Sequence, residues 1–420
     1  MDSGEACHSL RLRGNSMDMN LRQAGLLKLL GAALFVSSLS GSICPGQASS
    51  TAAGQRQNAL ALEQAGNIDQ AQAAWKSLLA AQPNSAEAYA HLGLLEARQD
   101  HYQEAIAHYR KALALDPRFP NLRLNLGLSL FKAGELKETI QTFEPMLKDL
   151  PPNSPQRLRL ATLTGLAKYG VGNYLAAVPY LKEAAAGDPQ NLQFKLMLAH
   201  SCLWSKQYHC VLDTYRDIIV INPDAAEAYM LAGEAYDELT EDTKALEQFQ
   251  AAVKSDPTLP NAHFAVGYLL WRLMRFDEAT AAFRAELANN PEHALALAYL
   301  GDAEVHLQRS DEAQRHLEHS IRINPSFALT HLDLGTLYEA QGRKDDALRE
   351  FELSAKLNPK DENVHWRLGR LYQSLGRKEE AKAELEKTRN LQKVRDEPLV
   401  EKINRVPEKR PLQNINSPQK

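Results

Sequence analysis

His200, Cys202, His209 and Cys210 fall within eleven residues of one another and combine two side-chain types that hold zinc. A tetrahedral site would need the segments on both sides of the intervening turn to point these groups inward together. Cys202, however, stands where corresponding segments of the chain carry Tyr236, Leu270 and Tyr338, which are packing residues. A buried thiol usually behaves as a small apolar side chain, so packed cysteines and solvated histidines account for this cluster. His316 and His319 are spaced to share a helix face, and surface histidines explain them as well. No Gly-rich phosphate loop, GxSxG elbow, HExxH or paired CxxC occurs in the chain. The sequence therefore predicts no catalytic residue, no metal and no cofactor.

What positions these residues is a period. Prolines stand at Pro83, Pro117, Pro151, Pro189, Pro223, Pro257, Pro291, Pro325 and Pro359, each 34 residues after the last except for four extra residues before Pro189. Between two prolines the apolar and small residues fall at helical spacing twice, for example Leu334, Leu337 and Tyr338, then Ala347, Leu348, Phe351 and Ala355. The spacing predicts a helical hairpin. Gly342 ends the first helix in a left-handed conformation, and Asn358-Pro359 stops the second.

The small residues predict how the helices touch. Gly335 and Ala347, like Gly93 with Ala105 and Gly267 with Ala279, lack bulk where two helices cross. Four residues after the alanine comes a large side chain (Trp75, Tyr109, Phe143, Tyr180, Tyr215, Phe249, Phe283, Phe351) that is expected to fill the gap to the next hairpin. One hairpin cannot bury both of its faces, so hairpins must stack.

In Leu334-Gly335, Tyr338, Ala347, Phe351 and Pro359, and in their counterparts, the chain resembles the tetratricopeptide repeat. Ten copies begin near Ala52, Ala86, Pro120, Leu158, Leu192, Ala226, Pro260, Ala294, Ala328 and Glu362, and cover residues 52–395. The resemblance implies an all-α, right-handed superhelical solenoid of antiparallel helix pairs. It also implies which positions line the concave groove: here Phe131, Tyr169, Trp204, Met230, Phe264, Tyr268 and Trp271, flanked by Glu234, Asp237 and Glu238 and further on by Asp302, Asp333 and Glu339. An apolar, aromatic groove with an acidic flank suits a basic amphipathic peptide. Packing between first helices is the alternative account of the apolar set, and a solvated face that of the acids. The chain lacks the Lys and Asn pattern of chaperone-tail receptors, since Asn125 is the one match.

The ends differ from the array. Arg22 and Lys28 precede LLGAALFVSSLSG, an apolar run of signal-peptide length, and Gly46-Gln47-Ala48 provides small residues for cleavage. Residues 1–48 are therefore expected to be a secretory signal, with an uncleaved anchor as the alternative. Residues 396–420, with Pro398, Pro407, Pro411 and Pro418, are expected to be a disordered tail. After export Cys202 and Cys210 would remain as an even pair across one turn, a candidate disulfide, or else two packed thiols. The extra residues Pro151 to Gln156, with Pro145 and Pro179 in the flanking helices, predict an irregularity with kinks.

The near-neutral balance of 48 basic and 52 acidic residues gives no reason to expect a nucleic-acid partner. The sequence thus predicts an exported, non-catalytic adaptor, periplasmic or extracellular and of a bacterial envelope, that binds a protein or peptide in its groove. A membrane-anchored assembly factor for secretion or surface polysaccharide is the alternative, and a metal-dependent or carbohydrate-acting enzyme a remote one.

Overall fold

A computed structural model describes residues 52–152 and 154–396. The expected leader and all but the first residue of the expected tail lie outside the described residues. Among these residues the chain forms twenty α-helices and no strand, arranged as stacked helix pairs. The first six are α1 (Ala52–Gln64), α2 (Ile68–Ala81), α3 (Ala86–Arg98), α4 (Tyr102–Leu115), α5 (Leu122–Lys132) and α6 (Leu136–Asp149). Then come α7 (Pro155–Gly170), α8 (Tyr174–Gly187), α9 (Leu192–Trp204), α10 (Tyr208–Ile221), α11 (Ala226–Glu238), α12 (Asp242–Ser255), α13 (Ala262–Arg272) and α14 (Phe276–Asn289). The last six are α15 (Ala294–His306), α16 (Ser310–Ile323), α17 (Ala328–Ala340), α18 (Lys344–Leu357), α19 (Glu362–Ser374) and α20 (Lys378–Asp396).

The helices form two compact bodies, one through Glu241 and one from Asp242 onward. Within each body a second helix packs on its own first helix and on the first helix of the next pair, and consecutive first helices also touch.

The turn inside every pair is built the same way. One residue takes a left-handed backbone at Gly66, Asp100, Gly134, Gly172, Lys206, Thr240, Met274, Gln308, Gly342 and Gly376, following the proline period with the same four-residue excess. Half of these are not glycine. Tertiary packing therefore imposes a conformation that L side chains avoid.

The glycine of each first helix lies under the large residue of its own pair. A Cβ on Gly335 would stand 2.6 Å from Phe351 Cδ1, one on Gly267 2.7 Å from Phe283 Cδ1, and one on Gly127 2.1 Å from Phe143 Cε1. The large residue is thus not simply a filler between pairs, as the sequence suggested. It closes on its own glycine and also joins the next pair, where Phe351 shares a core with Val364 and Leu368. In the fourth pair the structure corrects the register: Leu181 is fully buried and Tyr180 only half-buried, because Leu181 stands eight residues before Pro189 as Phe351 does before Pro359.

Residues before Arg157 extend the first helix of the fourth pair. Ser154 caps α7 by accepting from the Arg157 N–H at 3.2 Å, and Leu158 presses on Gly187 of α8. Helices α6 and α8 run through Pro145 and Pro179 unbroken.

Candidate functional site

The first helices carry the candidate residues, and their burial separates them. Phe131 on α5 and Tyr169 on α7 are buried in the core of the first body, as Phe264 (1 % exposed) and Tyr268 on α13 are in the second. These four serve packing first: Phe264 alone lies against Phe283, His293 and Tyr299. Trp204, Met230 and Trp271 reach the surface, Trp204 with 37 % of its area.

In the first body Trp204, the last residue of α9, stacks on Tyr174 with centroids 5.8 Å apart, and Tyr174 meets Tyr169 edge-on at 5.5 Å. On α11, Glu234 and Asp237 are half-buried and Glu238 is exposed, accepting a hydrogen bond from the Tyr208 hydroxyl at 2.8 Å. Desolvation pushes the Glu234 carboxyl up to about 7; nearby His200 opposes this, and Asp237 and Glu238 add to it. A carboxyl poised near neutrality can take up a basic group and ionise as it does so.

Of the residues weighed as metal ligands, His209 is exposed and the others are already engaged. Cys202 and Cys210 are joined as a disulfide across the α9–α10 turn, with Cα atoms 5.8 Å apart. His200 Nε2 lies 2.7 Å from Glu227, His316 Nδ1 2.7 Å from Glu304, and His319 Nε2 3.4 Å from Glu292. No group of three ligand side chains suited to a metal occurs among the described residues.

In the second body Tyr268, Trp271 and Tyr299 form a ring cluster with centroids 4.9 to 6.0 Å apart. The Trp271 indole donates to Asp302 on α15, and the carboxyl of Asp302 faces that of Asp333 on α17. Both carboxyls are buried, at 5 % and 7 % exposure. Asp302 and Asp333, read from sequence as part of the acidic flank, are here part of the wall between neighbouring pairs.

One feature escaped sequence reading. A cavity of about 420 Å³ opens between α1, α3 and α5, with Leu60, Leu94 and Phe119 as apolar wall and Glu63, His91, Arg98 and Asn125 as polar lining. His91 Nδ1 lies 2.8 Å from Glu63, which also accepts from the Trp75 indole at 3.3 Å. Only the position of Asn125 hinted at it, because the cavity depends on how three first helices splay.

Profiles described as "TPR repeat" match residues 95–134, and those described as "Tetratricopeptide repeat" match 59–85, 212–260, 264–326 and 338–397. Among curated proteins, the BBSome complex member BBS4 of Bos taurus is 26 % identical over 205 residues, 48 % of this chain and 38 % of that protein. A probable biofilm formation methyltransferase, WspC of Pseudomonas putida, is 39 % identical over 75 residues, 18 % of each chain. The chain thus spans well under half the length of these relatives. Among solved structures, a tetratricopeptide repeat protein from Parabacteroides merdae is 18 % identical with a TM-score of 0.42, over 60 % of this chain and 97 % of that one. YrrB, a TPR protein with an unusual peptide-binding site, is 21 % identical with a TM-score of 0.36, over 42 % of this chain and 92 % of its own.

Proposed function

The chain belongs to the tetratricopeptide repeat family, and from that premise we propose that it is a non-catalytic scaffold that binds a protein or peptide through the surface formed by its first helices. The observation that carries this reading is Trp204, a large aromatic left exposed at the end of α9 and stacked on Tyr174. Exposed aromatics of this kind anchor partners. The neighbouring first helix, α11, presents Glu234, Asp237 and Glu238, which favour a partner with basic residues beside its apolar ones.

We further propose that the protein acts outside the cytoplasm of a bacterium as an adaptor in the envelope. The signal-like stretch before residue 48 supports this, and so does a cysteine pair close enough to bridge. If the leader stays attached, the same scaffold works as a membrane-anchored assembly factor.

Pull-down from the native host with the full chain, a Trp204→Ala/Glu234→Ala variant and a Trp271→Ala variant tests the binding reading. Circular dichroism verifies that each variant remains helical. A protein held by the wild type and lost by the first variant locates the site on the first body. Loss by the second variant alone moves the site to the second body. Capture of the same protein by all three rejects these surfaces as the site.

A further inference from the structure

Two contacts in the second body depend on held protons. The carboxyls of Asp302 and Asp333 are both buried and face each other, and no protein N–H or O–H reaches Oδ2 of Asp333. Two buried carboxylates that face each other repel unless one of them holds a proton. His331 on α17 places Nδ1 2.6 Å from Glu350 and Nε2 3.0 Å from the Pro325 carbonyl, and a carbonyl accepts but never donates. His365 on α19 repeats the arrangement 34 residues later, with Glu384 at 2.5 Å and the Pro359 carbonyl at 3.0 Å. The His331 ring donates from both nitrogens and is an imidazolium. Both histidines are buried.

We infer that the second body is latched by these protons, so that α15 and α17 loosen as pH rises while α5, which carries no such contact, does not. As a means of regulating the surface around Trp271 this rests on the proposed function; the loosening itself does not.

The charged surroundings agree in sign. Desolvation raises Asp302, opposed by the Trp271 hydrogen bond and by His306 at 3.8 Å. Desolvation and the facing Asp302 raise Asp333 well above its ordinary value, Arg367 on α19 opposes, and Asp361 adds. Burial pulls His331 down, but its bonds to Glu350 and the Pro325 carbonyl outweigh that and raise it. Lys387 stands 2.7 Å from the Glu384 that holds His365. A raised carboxyl favours the folded state less and less as pH climbs above its unfolded value of 3.8. A raised histidine gives its full contribution below 6.5 and loses it as pH passes its folded value. Both losses run in the same direction. In the first body Glu234 shares this sign, but it is one half-buried carboxyl that water reaches, whereas His108 on α4 is lowered by desolvation and has the opposite sign.

Hydrogen exchange on the full chain, corrected for the intrinsic pH dependence of exchange, tests the latch. Protection of α15 and α17 is expected to fall about tenfold or more between roughly pH 5.5 and roughly pH 8.5, with α5 as the internal reference. Asp333→Asn donates to Asp302 without a shared proton, so its α15 protection should be nearly level across that range. Asp302→Asn, which makes the same bond from the other side, replaces it should the first variant fail to fold. His331→Gln should remove the remaining slope in α17. Equal protection of the wild type at both pH values, an equal fall in α5, or an unchanged slope in the Asn variant each overturns the inference.

Discussion

Gly335 and Phe351 share one space: a Cβ on the glycine would stand 2.6 Å from the ring, and the ring is fully buried. Sixteen residues separate them in the chain, and the same separation recurs for Gly93 with Tyr109, Gly127 with Phe143 and Gly267 with Phe283. The contact joins the two helices of a pair and leaves the far edge of the ring for the next pair.

Gly335→Ala should destabilise the second body by about 1 to 3 kcal/mol, because the ring must leave its rotamer or the helices must part. Denaturant unfolding measures this. In a Phe351→Ala background the same change should cost far less, and a double-mutant cycle that shows simple additivity would contradict the shared-space account.

Thr240 holds the left-handed turn position at φ 59°, where a β-branched side chain is strained. Thr240→Gly should stabilise by roughly 1 kcal/mol, while Gly342→Ala at the equivalent position should destabilise by about the same amount. Paired thermal melts would reveal the opposite signs.

Glu286, 2 % exposed on α14, accepts from the backbone N–H groups of Asn261 and Phe264, each at 3.1 Å. A negative group there satisfies the open donors of α13 and favours its dipole. Glu286→Ala should cost on the order of 2 kcal/mol. Exchange protection should drop first at the start of α13, the helix that carries Tyr268 and Trp271.

Binding at the first body should depend on Glu234. Its carboxyl titrates near 7, so it is largely neutral below that pH and charged above it. A lysine-bearing amphipathic peptide should bind more tightly as pH rises through 7, and Glu234→Gln should remove that dependence. Fluorescence titration of Trp204 across this range is the measurement; an identical pH profile in the variant would show that another group is responsible.

Some of this was readable in advance because a repeat states its rule many times over. Pro359 and its eight counterparts placed every hairpin, and Gly342 announced a left-handed turn that recurs at Asp100, Lys206, Thr240, Met274 and Gln308 without any glycine to signal it. Period and local chemistry thus determined the all-helical array, the pair boundaries and the small residues at the crossings, since each of these depends on neighbours within one turn or one period. The sequence alone could not say which groove candidates face a partner. Phe264 and Trp271 lie seven residues apart on one helix, yet one is sealed among aromatic neighbours and the other reaches the surface. Burial is set by the pitch at which consecutive first helices pack, a sum of contacts over three pairs. The same packing brought Asp302 to Asp333 and closed the cavity beside Asn125. Solvation and proton affinity belong to that assembled environment, so only the tertiary structure decided them.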